Sequence, residues 1–265
     1  MSNYWSERMA KAQAKAFNKT RLAIDRRMRK YYKQLAQQTI NDFEATYLKI
    51  LEAQAADIPP TPADLYKLDK YWSMQSQLRH RLEKLGEKQI SSLTYLFEYN
   101  YKEVYNSLAI KGLTAYRTLD DDAIKQVINQ IWCTDGKSWS QRIWENVNLL
   151  KETLEEGLIH CVTTGKKTTQ LKNILQERFN VSYGRADALV RTELAHIQTQ
   201  AAQQRYRDYG LEQMEVWVDE DERTCKICAK HEGEIYSVND KMPVPFHPRC
   251  RCCMIPVIKK PPDTV

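Results

Sequence analysis

Along the first fifty or so positions apolar residues recur at short helical steps, as Ala16, Ala23, Met28, Tyr31, Leu35, Ile40, Phe43 and Tyr47. Spacing of this kind gathers side chains on one side of a helix. Between Asn3 and Ala56 there is neither glycine nor proline, and Ala, Lys, Arg, Gln and Leu dominate. The pattern predicts one or two long helices with an apolar stripe that packs on a partner. The run ends at Asp57-Ile-Pro59-Pro60-Thr-Pro62, where proline removes backbone donors and disfavours helical geometry in the preceding residue, so a linker is expected there.

A second helix is predicted from Thr61 or Pro62, with Leu65, Leu68, Tyr71, Trp72, Leu78, Leu82 and Leu85 on one face and Gly86 as its C-cap. A third, from about Glu87 to Ile110, carries Leu93, Leu96, Phe97, Tyr101, Val104, Tyr105 and Leu108 as a core stripe. Trp132, Trp139 and Trp144 read as packing residues around a Thr134-Asp-Gly-Lys turn, and Cys133 and Cys161 as small buried hydrophobes on helical segments. A helix over 138–161 should break at Gly165. Thr168 then caps a shorter helix through Phe179, and Ser182 opens the last long one, in which Leu189, Val190, Leu194, Ile197 and Ala201 lead to Gly210.

Only after Gly210 does the period change. Met214, Val216 and Val218 alternate with their neighbours as strand residues do, and the segments starting at Glu234 and Cys252 supply two more short strands. The expected fold is therefore mainly α: a long helical N-terminal region followed by a small C-terminal α+β zinc-knuckle module. In chain order the expected segments are a basic arm over 1–57, a helical domain over 58–164 and the C-terminal module over 165–265.

The charge is distributed unevenly. The net +6 hides ten Lys and Arg against Glu7 and Asp25 in residues 1–33, a local +8 that leaves −2 for the remainder. Such a field favours a polyanion, and Arg26, Arg27, Arg29 and Lys30 are the candidate contacts to double-stranded DNA, although a solvated helix face explains the same pattern. No run of eighteen apolar residues occurs, so no membrane partner is expected. Without an apolar stretch near Met1 the chain is expected to be made in a reducing cytoplasm.

Chemistry concentrates in one stretch. Five of the seven cysteines fall between Cys225 and Cys253. Cys225 and Cys228 form a CxxC pair, and His247 and Cys250 repeat the same gap, which gives a Cys3His donor set for a tetrahedral metal ion such as Zn2+. Cys252 competes with Cys250, because alternate positions of a strand share a face, whereas Cys253 should point away. A thioredoxin-type redox pair would need a parallel βαβ context that the flanking strands do not offer. Catalytic zinc would need an open position and a base; His231-Glu232 lies in range but in neither the deaminase nor the metalloprotease order. Within the last helix, Arg191-Thr192-Glu193 directs charges to different faces, and Glu193 is expected either on the surface or buried against Arg185, Arg205 or Arg251.

Taken together, Arg191-Thr192-Glu193, Asp219-Glu-Asp-Glu-Arg-Thr-Cys225-x-x-Cys228, Gly233 and Pro245-x-His247-Pro248-x-Cys250-Arg251-Cys252 with Pro256 resemble the phage Mu F-like head morphogenesis family, over about residues 165 to 258. Cys253 is an addition to that pattern. The resemblance implies a minor capsid protein of a tailed phage, without established catalysis, placed in the virion head after assembly in the host cytoplasm. It implies association with the portal protein and with capsid or scaffold proteins, and contact with packaged DNA or an influence on its ejection. Arg191 and Glu193 would then support the module, and the zinc would be structural. The alternatives are a zinc-containing nuclease or nucleic-acid-processing enzyme, acting through His231, Glu232 or His247, and a plain DNA-binding protein.

Overall fold

The computed structural model describes all residues except 1–2, 53–60, 68, 111, 114–118, 219–220, 223 and 259–265. Seven helices and three strands occur among the described residues: α1 Asn3–Glu52, α2 Pro62–Tyr66, α3 Asp69–Ser107, α4 Asp121–Asn129, α5 Trp139–Thr163, α6 Thr168–Asp208, β1 Gln213–Trp217, α7 Lys226–Ala229, β2 Ile235–Ser237 and β3 Cys253–Pro256. The chain is mainly α with a small antiparallel sheet, as the change of period predicts. The proline linker over 57–60 lies outside the described residues.

Packing gathers the chain into two discontinuous units. The first combines 1–24, 93–139 and 188–265; the second combines 25–92 and 140–187. They cut across the chain-order segments 1–57, 58–164 and 165–265, because α1, α3 and α6 each contribute to both. In the first unit Met9, Phe97, Val104, Ile124, Leu194, Tyr206, Met214 and Met254 are buried; in the second Phe43, Tyr47, Leu78, Ile143, Leu154, Leu175 and Phe179 are. The second unit is tied by buried polar contacts as well. Tyr32 Oη meets Ser182 Oγ at 3.1 Å, and Asn146 Nδ2 donates to the Ser182 carbonyl at 3.0 Å.

Four expectations change. The α1 stripe does not wait for an external partner: Ala16, Met28, Leu35, Ile40, Phe43 and Tyr47 are buried in the chain's own units, Tyr47 with its hydroxyl on the Cys161 carbonyl at 3.2 Å. Gly86 does not cap a helix but lies inside α3, where an added Cβ would stand 2.4 Å from Trp144 Cζ3. Ser182 does not start a helix either. It lies inside the continuous α6, and its hydroxyl is committed to Tyr32 rather than to a cap. Sequence cannot separate a cap from a buried small residue when both read as a helix interruption. Cys133, for its part, is half-buried in the turn before Gly136 rather than on a helix.

Where a left-handed residue is needed, the glycines act as expected. Gly210, at φ 69°, follows α6, with its N–H on the Arg207 carbonyl and the Leu211 N–H on the Tyr206 carbonyl. Those two bonds satisfy carbonyls that the helix end would orphan and turn the chain into β1. Substituting Gly86→Ala is expected to lower the thermal midpoint: strain against Trp144 of about 1–3 kcal/mol outweighs the helix-propensity gain of about 1 kcal/mol. A raised midpoint in a calorimetric scan would show that Trp144 yields instead.

Candidate metal centre

The site grows out of a sheet too small to stand alone. Order in the sheet is β2-β1-β3, with both pairings antiparallel, and β1 is central. Met214 and Val216 face the core from β1, and all four residues of β3 are buried. Side chains from the helices hold its backbone. Gln203 Nε2 donates to the carbonyls of Val238 at 2.7 Å and Asp240 at 2.8 Å, Arg207 Nε to Val238 at 2.7 Å, and Gln13 Nε2 to Met254 at 2.8 Å. Val238 and Met254 are buried, and their carbonyls are ones that short strands cannot satisfy among themselves.

Between β1 and β2 the chain forms the knuckle. Cys225 caps the single turn α7, accepting the Cys228 N–H on its sulfur at 3.4 Å. That backbone donor lowers the Cys225 thiol to about 7. Gly233, at φ 78°, turns the chain back, and its N–H reaches the Val216 carbonyl at 3.0 Å. The return segment forms a second turn, in which the Cys250 N–H meets the His247 carbonyl at 3.1 Å and Arg249 takes a left-handed φ of 64°.

These two turns bring the donors together. Cys225, Cys228 and His247 form one group and Cys228, Cys250 and Cys252 another, with the ligand atoms of each within 4.8 Å of one another. Cys228 belongs to both. His247 Nε2 stands 3.2 Å from Cys225 Sγ and 3.0 Å from Cys228 Sγ, while Cys228 Sγ is 3.7 Å from Cys250 Sγ. A tetrahedral Zn2+ site has sulfur–sulfur edges of about 3.8 Å, so this spacing fits a metal ion. His247 Nδ1 lies 2.8 Å from the Pro248 carbonyl, a partner that takes its proton-bearing nitrogen and leaves Nε2 as the lone-pair donor toward the sulfurs. Burial pushes the Cys228 thiol up to about 12, and the hydrogen bond from Cys252 lowers Cys250 to about 5. A cavity of about 50 Å³ lies among Cys225, Cys228, His247 and Cys252. Cys253 belongs to neither donor group.

The Arg191-Thr192-Glu193 run carries three separate contacts. Arg191 borders a larger cavity beside the knuckle. Thr192 Oγ1 accepts the Arg249 N–H at 3.1 Å and donates to the Ala188 carbonyl at 2.7 Å, which anchors the second turn to α6. Glu193 is buried and accepts the Trp132 indole N–H at 2.8 Å, while Trp132 stacks on His196 with centroids 4.4 Å apart. Of the arginines expected near Glu193, Arg251 forks onto Asp221 at 2.5 and 2.8 Å, and Arg205 lies over the rings of Tyr105 and Tyr209. Thr192, Gln203 and Gln13 escape sequence reading because a polar residue on a helix signals nothing until its partner strand is placed.

His231 and Glu232 are engaged elsewhere. His231 Nδ1 meets Glu234 Oε2 at 2.9 Å and its ring stacks on Phe246, while Glu232 accepts the Val218 N–H at 2.5 Å. Arg26, Arg27, Arg29 and Lys30 are all exposed on α1, and Arg29 is paired with Asp25 at 2.8 Å. No helix among the described residues is long and apolar enough to cross a membrane.

Residues 152–255 match the family model described as Phage Mu protein F like protein. Over that segment the chain is similar to the phage Mu F-like family. The segment runs from the end of α5 to β3, so it contains α6, the knuckle and every one of the metal-type donors. That similarity suggests a phage head morphogenesis protein. No curated protein and no solved structure matches the chain.

Burial lowers His196 to about 4 from the ordinary 6.5. Its neutral form is therefore favoured in the folded Mu F-like segment: the stabilisation is complete above about pH 6.5 and is lost as pH falls toward 4, because the unfolded chain takes up the proton first. The full loss is about 3 kcal/mol. Urea titrations across that window should show the decline, and His196→Gln should flatten it.

Proposed function

We propose that the protein is a minor head protein of a tailed phage, bound at the portal vertex during procapsid assembly, whose knuckle carries a structural zinc ion. The observation that carries this reading is the family match across the whole donor-bearing module. Zinc suits the donors, since thiolates and imidazole at tetrahedral spacing are its ordinary ligands and structural sites are closed by protein groups. The set is Cys225, Cys228 and His247, completed by either Cys250 or Cys252, both of which are grouped with Cys228. Zinc here contributes folding energy and no reaction step.

The exposed Arg26, Arg27 and Lys30 supply a cationic helix face for packaged double-stranded DNA, and portal, capsid or scaffold proteins are the assembly partners. A zinc nuclease is the competing class. It would need a base at an open metal position, whereas His231 is held by Glu234 and Glu232 by the Val218 N–H. That favours the structural reading.

Elemental analysis should give about one zinc per chain. Cys228→Ser, which removes the donor common to both groups, is expected to abolish zinc retention and expose 213–256 to limited proteolysis, and whichever of Cys250→Ser and Cys252→Ser does the same identifies the fourth ligand. Metal-free protein with a protease-resistant tail would contradict this. For the assembly role, co-expression with the phage's portal protein should give a complex that survives gel filtration; plasmid cleavage with added Mg2+ or Mn2+, lost in His231→Ala, would favour the nuclease.

A further inference from the structure

Within the first unit a cleft of about 760 Å³ opens between α1, α6 and the loop after the second knuckle turn. Its size falls in the range of small-molecule and cofactor sites. Five cationic side chains, Lys11, Arg21, Arg191, Arg249 and Arg251, border it; Lys11 is paired with Glu7 at 3.1 Å and Arg251 with Asp221, which still leaves the lining net cationic. Like charges around a partly enclosed, low-dielectric wall raise the local potential and draw an anion. Two of these arginines are set in place by the fold. Arg251 is forked onto Asp221, and the left-handed Arg249 is fixed through its N–H on Thr192 Oγ1.

Charge alone does not choose the anion. Phe17 and Trp217 also line the cleft and offer aromatic faces. Gln198, in the wall from α6, is 4% exposed, and its Oε1 has no hydrogen-bond partner in the protein. Its amide Nε2 faces Gln13 Oε1 at 3.5 Å, and Gln13 is itself held by Met254, so the orphan acceptor is the oxygen. An unsatisfied buried acceptor costs about 1–3 kcal/mol, which a ligand N–H would offset. Guanidinium forks for phosphate, an aromatic face for a planar ring and an acceptor for a ring or exocyclic N–H together describe a nucleotide.

We propose that this cleft binds a nucleotide unit, with phosphate on Arg21 and Arg191 and the base against the aromatic and Gln198 wall. The α1 residues of the wall, Glu7 to Arg21, extend over about 21 Å of helix, room for a few nucleotides of a single strand as well as for one free nucleotide. The site stands on the cleft's own geometry, independent of a portal role and separate from the exposed Arg26, Arg27 and Lys30.

The full zinc-loaded chain would be titrated with ATP, a short single-stranded oligonucleotide, its duplex, inorganic phosphate and a glutamate-rich peptide, read by ligand anisotropy and tryptophan fluorescence. Saturable binding of ATP or of the single strand is expected, weakened about tenfold or more by Arg21→Ala or Arg191→Ala, and unchanged by Arg79→Ala, an exposed cation of the second unit. A single strand that binds more tightly than ATP assigns the site to nucleic acid; ATP binding alone assigns it to a free nucleotide. Ala14→Glu, an exposed helix position on the cleft wall, places a carboxylate at the site without removing a contact and should block binding even if an arginine variant fails to fold. No saturable binding of either ligand, binding indifferent to Ala14→Glu, a preference for duplex, or tighter capture of the glutamate-rich peptide or of phosphate without a base would each overturn the proposal.

Discussion

Three thiols and an imidazole crowd around the buried sulfur of Cys228, and the C-terminal module depends on how that crowding is resolved. Cys228 faces His247 Nε2 at 3.0 Å and Cys250 Sγ at 3.7 Å in a place where water is scarce. Deprotonated sulfurs at that separation repel, and protonated ones waste the donor geometry. A metal ion would resolve both, and the strands around these donors are very short: β1 has five residues, β2 three and β3 four. Sheets of that size need a packed face or a cross-link to persist.

Helix α6 supplies the packed face and also the alignment. Thr192 fixes the turn that carries His247 and Cys250, Gln203 and Arg207 fix the chain after β2, and the Schellman-type end at Gly210 launches β1. The same helix presents Arg191 and Gln198 to the adjoining cleft. Knuckle, sheet and cleft therefore share one rigid support, and a change in Thr192 or Glu193 reaches the donors through backbone position rather than charge.

The helical classes and the donor cluster were legible in the residues because each has a local signature: periodicity 3.6 for α1, α3, α5 and α6, alternation for β1, and ligand spacing for Cys225 through Cys252. What was not legible depends on distant partners. Gly86 reads as a stop until Trp144 is found against it, and Ser182 reads as a cap until Tyr32 and Asn146 claim its polar atoms. The α1 stripe looked ready for another molecule because periodicity marks an apolar face without saying what covers it. Glu193 was expected either on the surface or buried against an arginine; it is buried, and it accepts the indole N–H of Trp132, sixty-one positions away in sequence.

Hydrogen exchange of the intact chain with and without a strong chelator tests the metal's place most directly. If a metal ion organises the donors, chelation should strip protection from the amides of α7, β1 and β3 while the buried helices of the second unit keep theirs. Unchanged protection across 213–256 after complete metal removal would contradict it.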